Sequence, residues 1–368
     1  MPPPAYRLYS FKLYNKDVVC APLAFFKKRI ALSRYVLAIT FAVCALVGCS
    51  KPSTDGDFRI VLRLSHVFSP KEDLAISMET VAKQILDKTG GAVEVLTYPQ
   101  GQIATYKDGV EMVVRGAYFI SVEDPSYIGD YVPEFTALVG PMLYRSYDEY
   151  TSLVKTPLVQ GWIEKLETRG IKVLSLEYIF GFRNVITDKV IRTPEDLSGV
   201  KLRTPGSKLF IETINAMGAT ATPLPWGETF SAVQQGVVDG LEGSDFTNAQ
   251  TKVYETGKKK VALTNHFLGT AGVYISTEVW ARIPLEYQRI IQEEFTNEAQ
   301  RMIARLKAKH AAVVEELEGH GVEFNDIDRK AFEQRTVKLY ETLPGVTMQV
   351  YDQIQTELEK IRKTQGRQ

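Results

Sequence analysis

Between Phe58 and Leu241 the apolar residues switch repeatedly between a period of two and a period near 3.6, which leaves this chain few possible architectures. Phe58, Ile60, Leu62 and Leu64 fall on one face of an extended segment. Leu74, Met78, Val81 and Ile85 then form the stripe of a helix from about Glu72 to Lys88, which Gly90 and Gly91 end as a left-handed cap would. A strand over Val93–Tyr98 and a helix from about Tyr106 to Arg115 repeat the unit, with Gly116 closing the helix. Tyr118 to Val122 reads as a buried strand. Elements of this length in this order predict an α/β protein built on a parallel sheet with helices on both faces.

The alternation resumes after Ile171. Ile171–Leu176, Val200–Arg203, Ala219–Leu224 and Val237–Leu241 read as strands, and Lys208–Met217 and a segment from about Glu228 as helices. Thr193-Pro194-Glu195-Asp196 has the signs of a helix start: a capping threonine, a proline at the first position and an acid at the third. From Pro284 to about Leu317 helical spacing continues unbroken, which suggests one helix crossing more than one lobe. Helices over about Arg329–Leu343 and Val346–Lys363 complete the chain.

The first 48 residues have a different character. Lys27, Lys28, Arg29 and Arg34 precede an uncharged, mostly apolar run from Tyr35 to Gly48, 14 residues long. A membrane-spanning helix needs about 20 apolar residues, so the run fits the core of a signal peptide. It ends in Leu46-Val47-Gly48-Cys49, which resembles the bacterial lipobox, and Cys49 is the expected point of lipid attachment. Residues 49–57 would then be a lipidated tether. Cys20 and Cys44 lie ahead of the cut, so the body after Cys49 has no thiol and no disulfide chemistry. Seven of the 44 Lys and Arg, but one of the 44 Asp and Glu, precede residue 49. The remainder therefore carries 37 basic against 43 acidic residues, a balance that excludes a basic field for nucleic acid.

Catalytic constellations are missing from the sequence. His66, His266, His310 and His320 have no zinc-ligand spacing, and no serine-nucleophile or phosphate-loop motif occurs. No metal or cofactor is expected. The chemistry concentrates instead in Gly181–Ser244. Arg203 is the last residue of its strand and a turn into a helix follows, the place where open α/β sheets bind ligands and helix starts favour anions. Its planar fork matches a carboxylate through two parallel bonds. Arg183 occupies a similar strand-end position. Trp226, between Pro225 and Gly227, is a candidate apolar wall, and Glu123 and Asp124 are candidate acceptors for ligand hydroxyls or an amine. Tyr178, His66 at the end of the first strand, and Asp245 complete the candidate contacts.

Arg183 and Arg203 sit within two of six strings that occur in order along the chain: Tyr98–Ile103, Tyr131–Phe135, Gly181–Asn184, Thr193–Arg203, Gly236–Glu242 and Thr264–His266. Together they resemble the solute-binding proteins of TRAP (tripartite ATP-independent periplasmic) transporters, in the family named for C4-dicarboxylate uptake. The resemblance implies a two-lobed, periplasmic-binding-protein-like fold of type II, hinged and spanned by a long helix. Lobes are expected at 58–180, with a return over about 271–320, and at 181–270, with C-terminal helices (about 321–368) packing across them. It implies that Arg203 pairs with the carboxylate of a small organic acid (a dicarboxylate, sugar acid, keto acid or amino acid), with Arg183 contributing. It further implies delivery to TRAP membrane permease subunits from a site outside the cytoplasm. A ligand-binding sensor module and, more distantly, an enzyme on the same fold are the alternatives. The resemblance breaks where many members have Asn-Pro and this chain has Gly243-Ser244, which leaves the body of the ligand open.

Overall fold

The computed structural model describes residues 58–366. Strand β1 (Ile60–Ser65) buries Ile60, Leu62 and Leu64 and exposes Val61 and Arg63, as period-two alternation requires. Helix α1 (Asp73–Lys88) buries Leu74, Met78, Val81 and Ile85 against it, and β2 (Val93–Tyr98) returns parallel to β1. Helix α2 (Tyr106–Val114) leads into β3 (Phe119–Glu123), which is buried along its whole length. A second parallel set lies further along the chain: β5 (Lys201–Thr204), α3 (Lys208–Met217), β6 (Thr220–Pro223) and β7 (Gly240–Ser244). Helix α4 (Asp245–Thr251) continues directly from β7, with the Ser244 hydroxyl accepting from the Thr247 N–H.

The two sets are joined by two unusually long strands of 17 residues each, β4 (Ile171–Thr187) and β8 (Lys260–Ser276). At about 3.3 Å per residue each covers about 55 Å, far beyond the usual strand of about 5–6 residues. The sheet order is β2-β1-β3-β8-β4-β7-β5-β6, with β9 (Glu323–Asn325) beside β8. Contrary to the sequence expectation, the sheet is mixed. β4 runs antiparallel to β8 and β7, and β8 antiparallel to β3. The expected strand Ile171–Leu176 does not stop at Leu176. It runs on through Gly181-Phe182-Arg183-Asn184, with register shifts against β8 that let one strand serve two differently oriented halves.

The fold is thus two-lobed, and helix α5 (Leu285–Gly319) runs along both halves. Its Ile291, Phe295 and Met302 pack with the α1–β1–β3 core, while Leu317 packs with Ile186, Leu241 and Val261. The long helix agrees with the sequence reading to within two residues at its end. Two other expectations are corrected. Thr193–Asp196 opens a short 3-10 turn (Pro194–Leu197), in which the Asp196 carboxylate accepts from the Thr193 N–H. The helix expected over Arg329–Leu343 is two pieces, Arg329–Thr336 and Leu339–Thr342, before the last helix, Met348–Gln365. No helix among the described residues is long and apolar enough to cross a membrane.

Candidate functional site

A cavity lies where β3, β4, β5 and β8 converge, under the turn that follows β6. About 60 Å³ of it is open to the centre of a water-sized sphere, room for a few waters or one small molecule. Aromatic and aliphatic walls come from Phe68, Phe180, Phe210, Trp226 and Val122, and the polar groups converge between them.

Arg203 enters from the end of β5. Leu202 faces the core beside Val185 and Ile214, so alternation turns Arg203 to the opposite face, where it is only 2% exposed. Its Nε and Nη2 both donate to the Leu224 carbonyl, at 3.0 and 2.7 Å, and its guanidinium carbon sits 5.1 Å from the Trp226 ring. No carboxylate among the described residues lies within salt-bridge distance of it. Of five N–H groups, the carbonyl engages two. The outer edge, carrying Nη1 and the second Nη2 hydrogen, meets no carboxylate among the described residues, and the Tyr106 side chain lies close to the guanidinium. Burial lowers the pKa of Arg203 from its ordinary value, yet it remains a cation near neutrality.

Arg183 is arranged differently. It donates through Nε and Nη2 to the two carboxylate oxygens of Glu242, both at 2.5 Å, in a buried bidentate pair. β4 and β7 pair side by side here, with Val185 opposite Glu242, which brings the two side chains together. Burial alone would raise the Glu242 pKa, but the adjacent Arg183 overrides it and holds the carboxyl at about 2. Behind the pair, His266 Nε2 stands 3.5 Å from Glu242, and Thr264 Oγ1 lies 2.8 Å from His266 Nδ1. Burial lowers the pKa of His266, against the raising effect of Glu242 beside it.

Glu123 and Asp124, at the end of β3, face the cavity from the other side. Glu123 accepts from the Tyr106 N–H at 2.7 Å, and Asp124 caps the turn that follows by accepting from the Ser126 N–H at 2.8 Å. Burial pushes Glu123 up to about 8 and Asp124 up to about 6. The Tyr127 hydroxyl and Thr270 Oγ1, both in the lining, are buried without a hydrogen-bond partner in the protein. Buried polar atoms are rarely left so, and a bound molecule is the natural partner for those that face a cavity.

Trp226 ties the lining together. Its Nε1 donates to Glu72 at 3.2 Å, its backbone N–H donates to the Tyr106 hydroxyl at 3.0 Å, and its ring covers Arg203. Nearby, the hydroxyls of Ser126 and Ser207 meet at 2.8 Å. Residues that precede β4 thus touch residues between β5 and β7 on both sides of the cavity.

Five of the eight residues chosen from the sequence line this cavity: Arg203, Arg183, Trp226, Glu123 and Asp124. Three do not. Tyr178 is buried under α5 and its hydroxyl donates to the Phe295 carbonyl at 3.0 Å, so it belongs to the core. His66 is buried behind the wall that Val67 and Phe68 form. Asp245 starts α4 and lines a separate depression, where it accepts from Asn184 and faces His310 at 3.5 Å. Cys49 lies outside the described residues. Sequence reasoning missed Tyr106, Tyr127, Thr270 and above all Glu242. An acid between Leu241 and Gly243 in a buried strand was the available signal for a partnered charge. Among the described residues no cluster could hold a metal ion.

The sequence model of bacterial extracellular solute-binding proteins, family 7, matches residues 64–344. A TRAP periplasmic solute-binding protein of Desulfovibrio salexigens, solved in complex with diglycerolphosphate, is 59% identical. It superimposes with a TM-score of 0.82 over 84% of this chain and 99% of its own. A second, from Fusobacterium nucleatum with bound sn-glycerol-3-phosphate, is 39% identical, with a TM-score of 0.81 over 83% of this chain and 99% of its own. The C4-dicarboxylate-binding periplasmic protein DctP of Rhodobacter capsulatus is 26% identical, covering 75% of this chain and 84% of its own length.

Proposed function

Because this chain belongs to family 7 of the bacterial extracellular solute-binding proteins, we propose that it captures a glycerol-phosphate-type anion for a TRAP permease. The observation that carries the reading is Arg203: a buried cation, oriented by a backbone carbonyl, whose outer edge meets no carboxylate among the described residues. That edge offers two parallel donors to two oxygens of a phosphate or carboxylate. The anion would sit there, with Arg183 beside it. The ligand's hydroxyls would reach Glu123, Asp124 and the unpartnered Tyr127 hydroxyl. The two relatives with the highest identities reported above hold glycerol phosphates, and this favours a phosphate ester over the organic acids that the sequence suggested.

Closure is the mechanism. The contacts of Trp226 with Glu72 and Tyr106, and of Ser126 with Ser207, join the two sides of the cleft. A ligand that touches both sides binds the closed form better and shifts the population toward it. Release then follows when the permease favours the open form. The tether reading adds that Cys49 carries lipid and holds the protein at the membrane. A Cys49→Ser variant that still labels with palmitate would refute that part.

Native mass spectrometry of gently purified protein tests the ligand class, followed by calorimetry with diglycerol phosphate, sn-glycerol-3-phosphate, galactonate and succinate. The phosphate esters are expected to bind at micromolar concentrations or below. Binding of the carboxylates alone would reject the phosphate reading and restore the organic acid.

A further inference from the structure

The charges around the cavity can be counted. Arg183 is matched by Glu242, so this pair presents no net charge. Arg203 is unmatched. Glu123 and Asp124 stand on the facing wall, and if both were ionised they would outweigh Arg203 and repel any anion. Burial opposes that, since both acids titrate well above the ordinary carboxylate range, and an anion placed beside them raises them further. The surrounding tyrosines (Tyr106, Tyr127, Tyr150 and Tyr274) are raised by burial and stay neutral, and burial lowers the pKa of His266. With an anion bound beside Glu123 and Asp124 and both acids holding their protons, the lining is left with a single unmatched positive charge, on the buried Arg203.

We infer that the cavity is matched to one negative charge on its ligand. This rests on the anion-capture reading above and sharpens it. A phosphodiester meets the condition at any pH, whereas a phosphate monoester meets it only while it retains one proton. A dianion would bring a second charge with no partner into a desolvated site, where unpaired charge is strongly disfavoured.

The test compares diglycerol phosphate with sn-glycerol-3-phosphate by calorimetry from pH 6 to pH 8. Both ligands face the same titrations of Glu123 and Asp124, so the ratio of their affinities isolates the charge of the ligand. The monoester loses its second proton near pH 6, and only its monoanionic fraction is competent. The ratio in favour of the diester is therefore expected to rise roughly 50-fold between pH 6 and pH 8. A ratio that stays flat overturns the inference while leaving anion capture intact. Absence of binding by both ligands at every pH overturns capture and the inference together. Glu242→Gln gives the cavity a second net positive charge and is expected to flatten the rise. If that variant does not fold, the wild-type slope still decides.

Discussion

Replacing Arg203 by lysine separates charge from geometry at the centre of the site. The guanidinium has five N–H donors, and the Leu224 carbonyl holds two of them at 3.0 and 2.7 Å. Two of the remaining three point along one edge and can bond two anion oxygens at once. At roughly 1.5–3 kcal/mol for each charge-assisted bond, the edge contributes about 3–6 kcal/mol to binding. Lysine keeps the charge but has no planar edge, so Arg203→Lys loses about one such bond, or roughly 10- to 150-fold in Kd. Arg203→Ala loses both, on the order of 100- to 10,000-fold. It also leaves the Leu224 carbonyl without its donor, so thermal unfolding must first establish that the variant is folded. Isothermal titration with diglycerol phosphate reads the result. If Arg203→Lys binds within threefold of the wild type, the oriented edge is not the anion's seat and the reasoning fails.

Other consequences follow from the same geometry. Trp226→Phe keeps a ring over Arg203 but removes the indole bond to Glu72. Dissociation in stopped-flow displacement is expected to quicken roughly fivefold, for a loss of about 1 kcal/mol, and an unchanged rate would remove Trp226 as a closing contact. The Tyr127 hydroxyl has no protein partner, so Tyr127→Phe is expected to leave urea stability unchanged to about 0.5 kcal/mol while weakening ligand binding by about 1 kcal/mol. Glu72, Glu123 and Asp124 are all raised by burial, to about 7, 8 and 6. The folded form therefore holds protons that the unfolded chain gives up. Their favourable contribution is complete below the ordinary carboxylate range and is lost as pH rises through those values. The Tm of ligand-free protein is expected to fall from pH 5 to pH 8, and a Tm that rises across that window contradicts the assignment.

The parts of the fold that are legible in the sequence are those decided locally. Helix α1 and strand β1 are set by their own periodicity, Gly90 and Gly91 end α1, and the long α5 has no breaker until Gly319. The crossing strands were not legible, because β4 becomes one strand only by pairing with β8, which lies far along the chain. Its bulges break the alternation on which a strand is recognised, and Gly181 at φ +109° looks locally like a stop. The site divides in the same way. Arg203 and Trp226 were found because strand ends and Pro-Trp-Gly turns are local signals. Glu242 was missed because its meaning depends on Arg183 across the β4–β7 pairing. Tyr178 was misplaced because its hydroxyl is used by a helix more than a hundred residues later.

The order of strands sets the order of events when a ligand arrives. Arg203 lies on β5, and β5 adjoins β7, to which the Arg183 end of β4 is paired. Under the proposed closure the two cations would therefore travel as one body, and their spacing would not depend on the hinge. Glu123 and Asp124 lie at the end of β3, on the opposite half. Encounter is thus ionic and takes place on a surface assembled in advance. Recognition of the hydroxyls comes second, when the far wall arrives. Salt should slow association with little effect on dissociation, whereas removing ligand hydroxyls should hasten dissociation with little effect on association.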